Sequence, residues 1–192
     1  MSTHPMRKHV GLFGFLVIIA LIPLSLNMRS KDKEGEDNRL VGSELSPEFK
    51  DYWYQGKAEV SSYELEQSHY GEVHPGEAIL IFVTEDFSKA AQIKLDYPDE
   101  AGSDAVSVLK LNLVKKFQTG IYDYSILQST FTPVDVQNHP NTLKVTTSTQ
   151  EWCGHTFTQL NWQKGKYKLQ SHSYFESEGD QKLQIDCQPA GR

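Results

Sequence analysis

Two imidazoles and two carboxylates fall within nine residues in His69-Tyr70-Gly71-Glu72-Val73-His74-Pro75-Gly76-Glu77. Neutral imidazole nitrogen and carboxylate oxygen are donors for zinc and other divalent ions, so His69, Glu72 and His74 are the candidate metal ligands. The spacing is not the helical H-E-x-x-H pattern. Pro75 and the glycines put a turn at His74-Pro75-Gly76-Glu77, and turns also collect polar side chains for solubility alone. A second concentration is Gln150-Glu151-Trp152-Cys153-Gly154-His155-Thr156-Phe157. Glu151 with His155 has the types of an acid/base pair, and Cys153 with His155 those of a thiol nucleophile and its base. The plainer reading is a strand end with a packed indole and a bend at Gly154. Glu176-Ser177-Glu178-Gly179-Asp180 is acidic but lacks the ligand spacing of a calcium loop.

Rings are more abundant than charge chemistry. Tyr122, Tyr124, Trp152 and Phe157 are the candidate wall of an apolar ligand site, because in a curved sheet such rings either fill the interior or line a cavity. A phosphate loop, a dinucleotide glycine fingerprint, a Gly-x-Ser-x-Gly elbow and paired Cys-x-x-Cys knuckles are all absent from the sequence. No residue is assigned as catalytic, and no cofactor is implied.

The elements that must position these residues read as strands. Lys57 to Tyr70 alternates apolar and polar residues, with a phase slip at Ser61-Ser62 that predicts a bulge. Ala78 to Thr84 is almost continuously apolar and completes a first hairpin. A short segment at Gln92 to Leu95 follows, then strands at Val106 to Phe117, Ile121 to Val134, Leu143 to Trp152, His155 to Trp162, Lys166 to Phe175 and Lys182 to Cys187. Gln163-Lys164-Gly165 is a tight turn. Ser46 to Tyr54 is the one helical stretch, with Ser46 as N-cap and Pro47 in the first position. The expected fold is mainly β. It is an antiparallel meander of about seven to nine strands forming a bent sheet, half-barrel or barrel, with a β-sandwich as the alternative.

Residues 1–27 form a leader. Arg7-Lys8 precede an uncharged apolar run from Val10 to Leu26, the pattern of a secretory signal or an N-terminal membrane anchor (a transmembrane helix), and seventeen helical residues span roughly 25 Å. Residues 28–48 are a charged tether with too little apolar surface to offset ordering entropy. Residues 49–192 make one extracytoplasmic domain, in the periplasm or elsewhere in the cell envelope. Without Arg7 and Lys8, 17 Lys and Arg of 19 face all 25 Asp and Glu, a net of −8. That sign argues against nucleic acid as a partner. In an oxidising compartment the two cysteines, Cys153 and Cys187, are most simply one disulfide, with separate thiols or metal use as alternatives.

Tyr52-Trp53-Tyr54-Gln55-Gly56-Lys57-Ala58-Glu59, Ser61-Ser62-Tyr63-Glu64-Leu65, Ile81-Phe82-Val83-Thr84-Glu85-Asp86-Phe87 and Gln150 to Phe157 resemble a family of uncharacterised exported bacterial proteins. Some members carry a septum-formation-inhibitor Maf label. Maf proteins are cytoplasmic α/β nucleotide pyrophosphatases with an N-terminal Ser-x-Ser-x-x-Arg site, and this chain has neither that motif nor alternating strands and helices. The resemblance implies an exported β-rich protein and no particular activity. The functional expectation is a non-enzymatic envelope protein that binds an apolar ligand or an envelope partner on the concave face of its sheet. The alternatives are a metal-dependent extracytoplasmic hydrolase using the His and Glu clusters, and a structural or assembly protein without a small ligand.

Overall fold

The computed structural model of the protein describes residues 45–186. One short helix, α1 (Pro47–Trp53), precedes eight strands: β1 (Glu59–His69), β2 (Glu72–Ser88), β3 (Ala105–Thr119), β4 (Tyr122–Pro133), β5 (Lys144–Glu151), β6 (Gly154–Gln163), β7 (Lys166–Ser173) and β8 (Gln181–Asp186). The strands lie in one bent sheet in chain order, each antiparallel to its neighbours. The mainly β meander is thus the fold, as a single sheet and not as a sandwich.

Several expectations need correction. The sheet is not a closed barrel, because β1 and β8 are its two edges and do not pair with each other. Strand length falls from 17 residues in β2 to 6 in β8, and both edge strands are left without a partner on their outer side. Among the described residues no helix is long and apolar enough to cross a membrane; the run from Val10 to Leu26 lies outside them. The disulfide is corrected as well: Cys153 is an exposed free thiol, and Cys187 lies outside the described residues.

Local chemistry explains the hairpins. The first turn is Tyr70-Gly71, with φ of 52° and 82°, a two-residue turn whose left-handed pair matches strand twist. The expected turn at His74 to Glu77 instead lies inside β2. Pro75 is accommodated there because it faces Glu66 at a position whose N–H is not used by β1, and the pairing of β2 with β3 starts only at Gly76. No bulge interrupts Ser61-Ser62, since the register runs unbroken from Glu59↔Phe82 to His69↔Glu72. An irregularity sits instead at Leu143, whose N–H bonds to the Phe131 carbonyl at 2.9 Å although Phe131 pairs with Lys144. Two residues there oppose one, as in a bulge.

Directly paired residues share a face, so the register sorts the sheet into two sides. The first face carries Leu80, Phe82, Leu111, Leu113, Phe117, Tyr124, Ile126, Val145, Leu160 and Leu169. The second carries Ile79, Ile81, Phe87, Val106, Val108, Val114, Phe131 and Phe157. The compact core is on the second face, where Phe87, Val106, Val108 and Leu143 are buried, with Phe131 and Trp162 packed against them. The segments 89–104 and 134–143 close it. Their anchor is Gln92, 2% exposed. Its Nε2 donates to the Trp162 carbonyl at 2.6 Å, its Oε1 accepts from Asn161 Nδ2, and its carbonyl accepts from Lys144 Nζ at 3.2 Å.

Candidate functional site

The first face is closed at its two ends and open between them. At one end Ser46 Oγ accepts the Phe49 N–H at 3.2 Å and Pro47 opens α1, fixing a single helical turn pair at low entropic cost. The Trp53 ring then meets Phe82 with centroids 6.4 Å apart, and its carbonyl accepts a hydrogen bond from Thr84 Oγ1 at 2.5 Å. The Tyr54 and Ser107 hydroxyls are 2.9 Å apart, and Tyr52 donates to Glu59 at 2.7 Å.

The other end is a ring cluster. Phe117 and Tyr124, cross-strand partners, stack at 4.9 Å and 8°. His69 lies 4.8 Å from the Tyr124 ring and 4.0 Å from Tyr70. The Tyr70 and Tyr124 hydroxyls approach to 3.5 Å. Tyr124 lies on the first face beside Glu151, one step beyond the Ser125↔Gln150 pair. Burial first, then the Tyr70 hydroxyl, raise the Tyr124 phenol far above its ordinary range, so it stays a neutral hydroxyl. Burial lowers the His69 imidazole, helped by His74 and opposed by Glu151. His69 Nε2 is buried without a hydrogen-bond partner.

A glycine makes the cluster fit. A Cβ on Gly76 would collide with the Lys116 carbonyl oxygen and lie 2.8 Å from Phe117 Cβ, so only glycine lets β2 pass this close to the stacked pair. Between the two ends the floor is half-buried Leu80, Leu111, Leu113 and Ile126, passing towards β7 into Thr147, Thr149, Thr156 and Thr158. The floor therefore grades from aliphatic to hydroxyl-bearing.

The residues singled out from the sequence fall in different places. Tyr122 and Tyr124 share the first face, and the Tyr122 ring meets the exposed Trp152 indole edge-on at 5.4 Å. Phe157 does not join them: it pairs with Ser148 and lies on the second face. His69 and Glu72 are the cross-strand pair flanking the first turn, while His74 Nε2 is 3.3 Å from the His69 carbonyl oxygen. Among the described residues no three His, Cys, Asp or Glu side chains converge on a point that could hold a metal ion. Glu151 and His155 are on opposite faces, since Glu151 pairs with Gly154 and His155 with Gln150. Glu151 instead accepts the Cys153 N–H at 2.9 Å, and its hydrogen bond and charge raise the thiol, which disfavours a thiolate nucleophile.

Sequence reading missed Phe117 as a stacking partner, Gly76 as a spacer and Gln92 as a core anchor. Gly76 beside Pro75 reads locally as a turn residue, so its place inside β2 carried no signal of its own. For Gln92 no local pattern existed, because its partners are about seventy residues away. Comparison of the chain with protein-family models, with curated proteins and with solved structures finds no match.

Proposed function

We propose that this is an exported, non-enzymatic cell-envelope protein that holds an apolar or amphiphilic ligand along the first face of its sheet. The observation that carries the reading is the aliphatic floor of Leu80, Leu111, Leu113 and Ile126, none of them fully buried, bounded by α1 at one end and the Tyr124 cluster at the other. A sheet normally buries an apolar face under a second layer, and apolar rows left accessible between built walls favour a bound molecule. Tyr122, Tyr124 and Trp152 form the wall at the ring end. The threonines of β5 and β6 suit the polar part of an amphiphile, and the neutral Tyr124 hydroxyl adds a donor.

The test is titration with N-phenyl-1-naphthylamine, whose emission rises in apolar surroundings. Saturable enhancement, weakened by Leu113→Ser and Leu111→Ser together and unchanged by Phe157→Ser, supports the reading. Native mass spectrometry of the protein from its own envelope should show a retained small molecule. A bare mass together with non-saturable probe emission would overturn the ligand. Recovery of the chain in the cytosolic fraction would overturn the location.

A further inference from the structure

The two edges of the sheet match each other. The Tyr70-Gly71 turn makes His69↔Glu72 a pair that exchanges both backbone bonds, so Glu59, Ser61, Tyr63, Leu65, Gln67 and His69 spend their N–H and C=O groups on β2. The groups pointing out from the edge of β1 then belong to Val60, Ser62, Glu64, Glu66 and Ser68. The Lys164-Gly165 turn, with φ of 53° and 82°, sets the same phase at the other side. Gln163↔Lys166 is a bonded pair there, so β7 bonds β8 through Tyr167, Leu169 and Ser171. The outward groups of β8 are therefore those of Lys182, Gln184 and Asp186. Both outward sets carry their side chains on the second face, which is the condition for joining β8 to another β1 with the faces in line.

Charge selects the partner. On the second face the β1 edge is acidic, with Glu64 and Glu66 on β1 and Glu77 on β2 beside Glu64. The β8 edge is basic there, with Lys182 on β8 and Lys166 and Lys168 on β7; of these, only Lys166 is ion-paired among the described residues, to Asp186 at 3.0 Å. Two β1 edges would set Glu64 and Glu66 against their own copies, a like-charge arrangement that opposes pairing. On the first face the same edges expose apolar side chains: Tyr63 at 54%, Leu183 at 53% and Ile185 at 40%. An eight-stranded antiparallel sheet also ends with β8 opposite in direction to β1, so a translated copy pairs antiparallel without being turned over.

We infer that a second copy of this chain adds its β1 to β8, continuing the sheet head to tail. With Glu64 or Glu66 facing Lys182, Leu183 meets Tyr63 or Leu65 on the other side, and Asp186 faces Val60 or Ser62 and no acid. This edge-to-edge mode draws its affinity from backbone bonds and its selectivity from the charges. A heterologous contact of this kind builds open chains unless its rotation closes a ring. The inference does not depend on a ligand occupying the first face.

Sedimentation velocity of the full chain, as the cell makes it, tests this across protein concentration and salt. The expected result is concentration-dependent growth beyond dimer that weakens as salt rises. Glu64→Lys with Glu66→Lys in one variant, and Lys182→Glu in another, should each weaken association roughly tenfold, the size of cross-strand charge pairs turned from attraction to repulsion. Mixing the two variants should restore it, because each then offers the edge that the other needs. Glu64→Pro removes an outward N–H without touching the bonds to β2, and with a native circular dichroism spectrum it should also block growth. A monomer at every concentration, a species that stops at dimer, or a mixture that fails to recover would overturn the inference.

Discussion

The two faces of one sheet have been given opposite fates by the segments between strands. On the second face, residues 89–104 and 134–143 fold back over Phe87, Val106, Val108 and Leu143 and bury them. On the first face α1 returns over Phe82 and Thr84 and the ring cluster buries Phe117 and Tyr124, while Leu80, Leu111, Leu113 and Ile126 between them are only partly buried. The apolar content of the strands is similar on both sides. The difference therefore lies in what covers each face: a segment with its own buried anchor, Gln92, closes the core of the second, whereas α1 and the ring cluster cover only the two ends of the first.

The largest break in that comparison is Phe87→Ala, which should cost about 3–5 kcal/mol in urea unfolding because the ring is 1% exposed and stacks on Phe131 at 4.8 Å. Leu113→Ala on the first face should cost roughly 1–2 kcal/mol, since that side chain is only partly buried. Equal losses would mean the two faces are equally packed. Next comes Gln92→Ala, which leaves the Trp162 carbonyl and the Asn161 amide without their partner and should cost about 1–3 kcal/mol. Because Gln92 has φ of 55°, Gln92→Gly should cost less than Gln92→Ala if backbone strain contributes.

A smaller effect is expected at Ser46. Losing the bond to the Phe49 N–H should lower stability by about 0.5–1 kcal/mol. In Ser46→Ala, probe binding on the first face should weaken while the second-face core keeps its hydrogen-exchange protection. The mildest effect is titration at the ring end. Burial and His74 hold the His69 imidazole below its ordinary range, so the unfolded chain binds more protons than the folded one from the ordinary value near ~6.5 downward. The stability from neutral His69 is complete above that value and is lost as pH falls towards the depressed folded one. The melting temperature should fall between pH 7 and 5 by more in the native protein than in His69→Phe. Parallel curves would show that His69 does not titrate this way.

Much of the fold was legible locally. Alternation marked β1 and β3 to β8 to within a few residues, and Ser46-Pro47 marked the start of α1 because capping is a matter of neighbouring atoms. The start of β2 was not legible: the apolar run begins at Ala78, whereas the strand begins at Glu72. Pro75-Gly76 reads as a turn in isolation, yet the hairpin had already turned at Tyr70-Gly71, and the register decided that a proline could sit in β2. The candidate ligand wall divided for a similar reason. Tyr122 meets Trp152 and shares the first face with Tyr124, whereas Phe157 pairs with Ser148 and faces the other side.

What the chain determines by itself is period, punctuation and charge: most of the strands, the tight turn at Lys164-Gly165 and a capped helix follow from interactions within a few residues. The tertiary structure decided everything that depends on counting across the sheet. Which face each ring joins, and that acid and base gather on opposite edges of the same side, follow from register. Register is a sum of pairings between distant segments, and no single segment carries it.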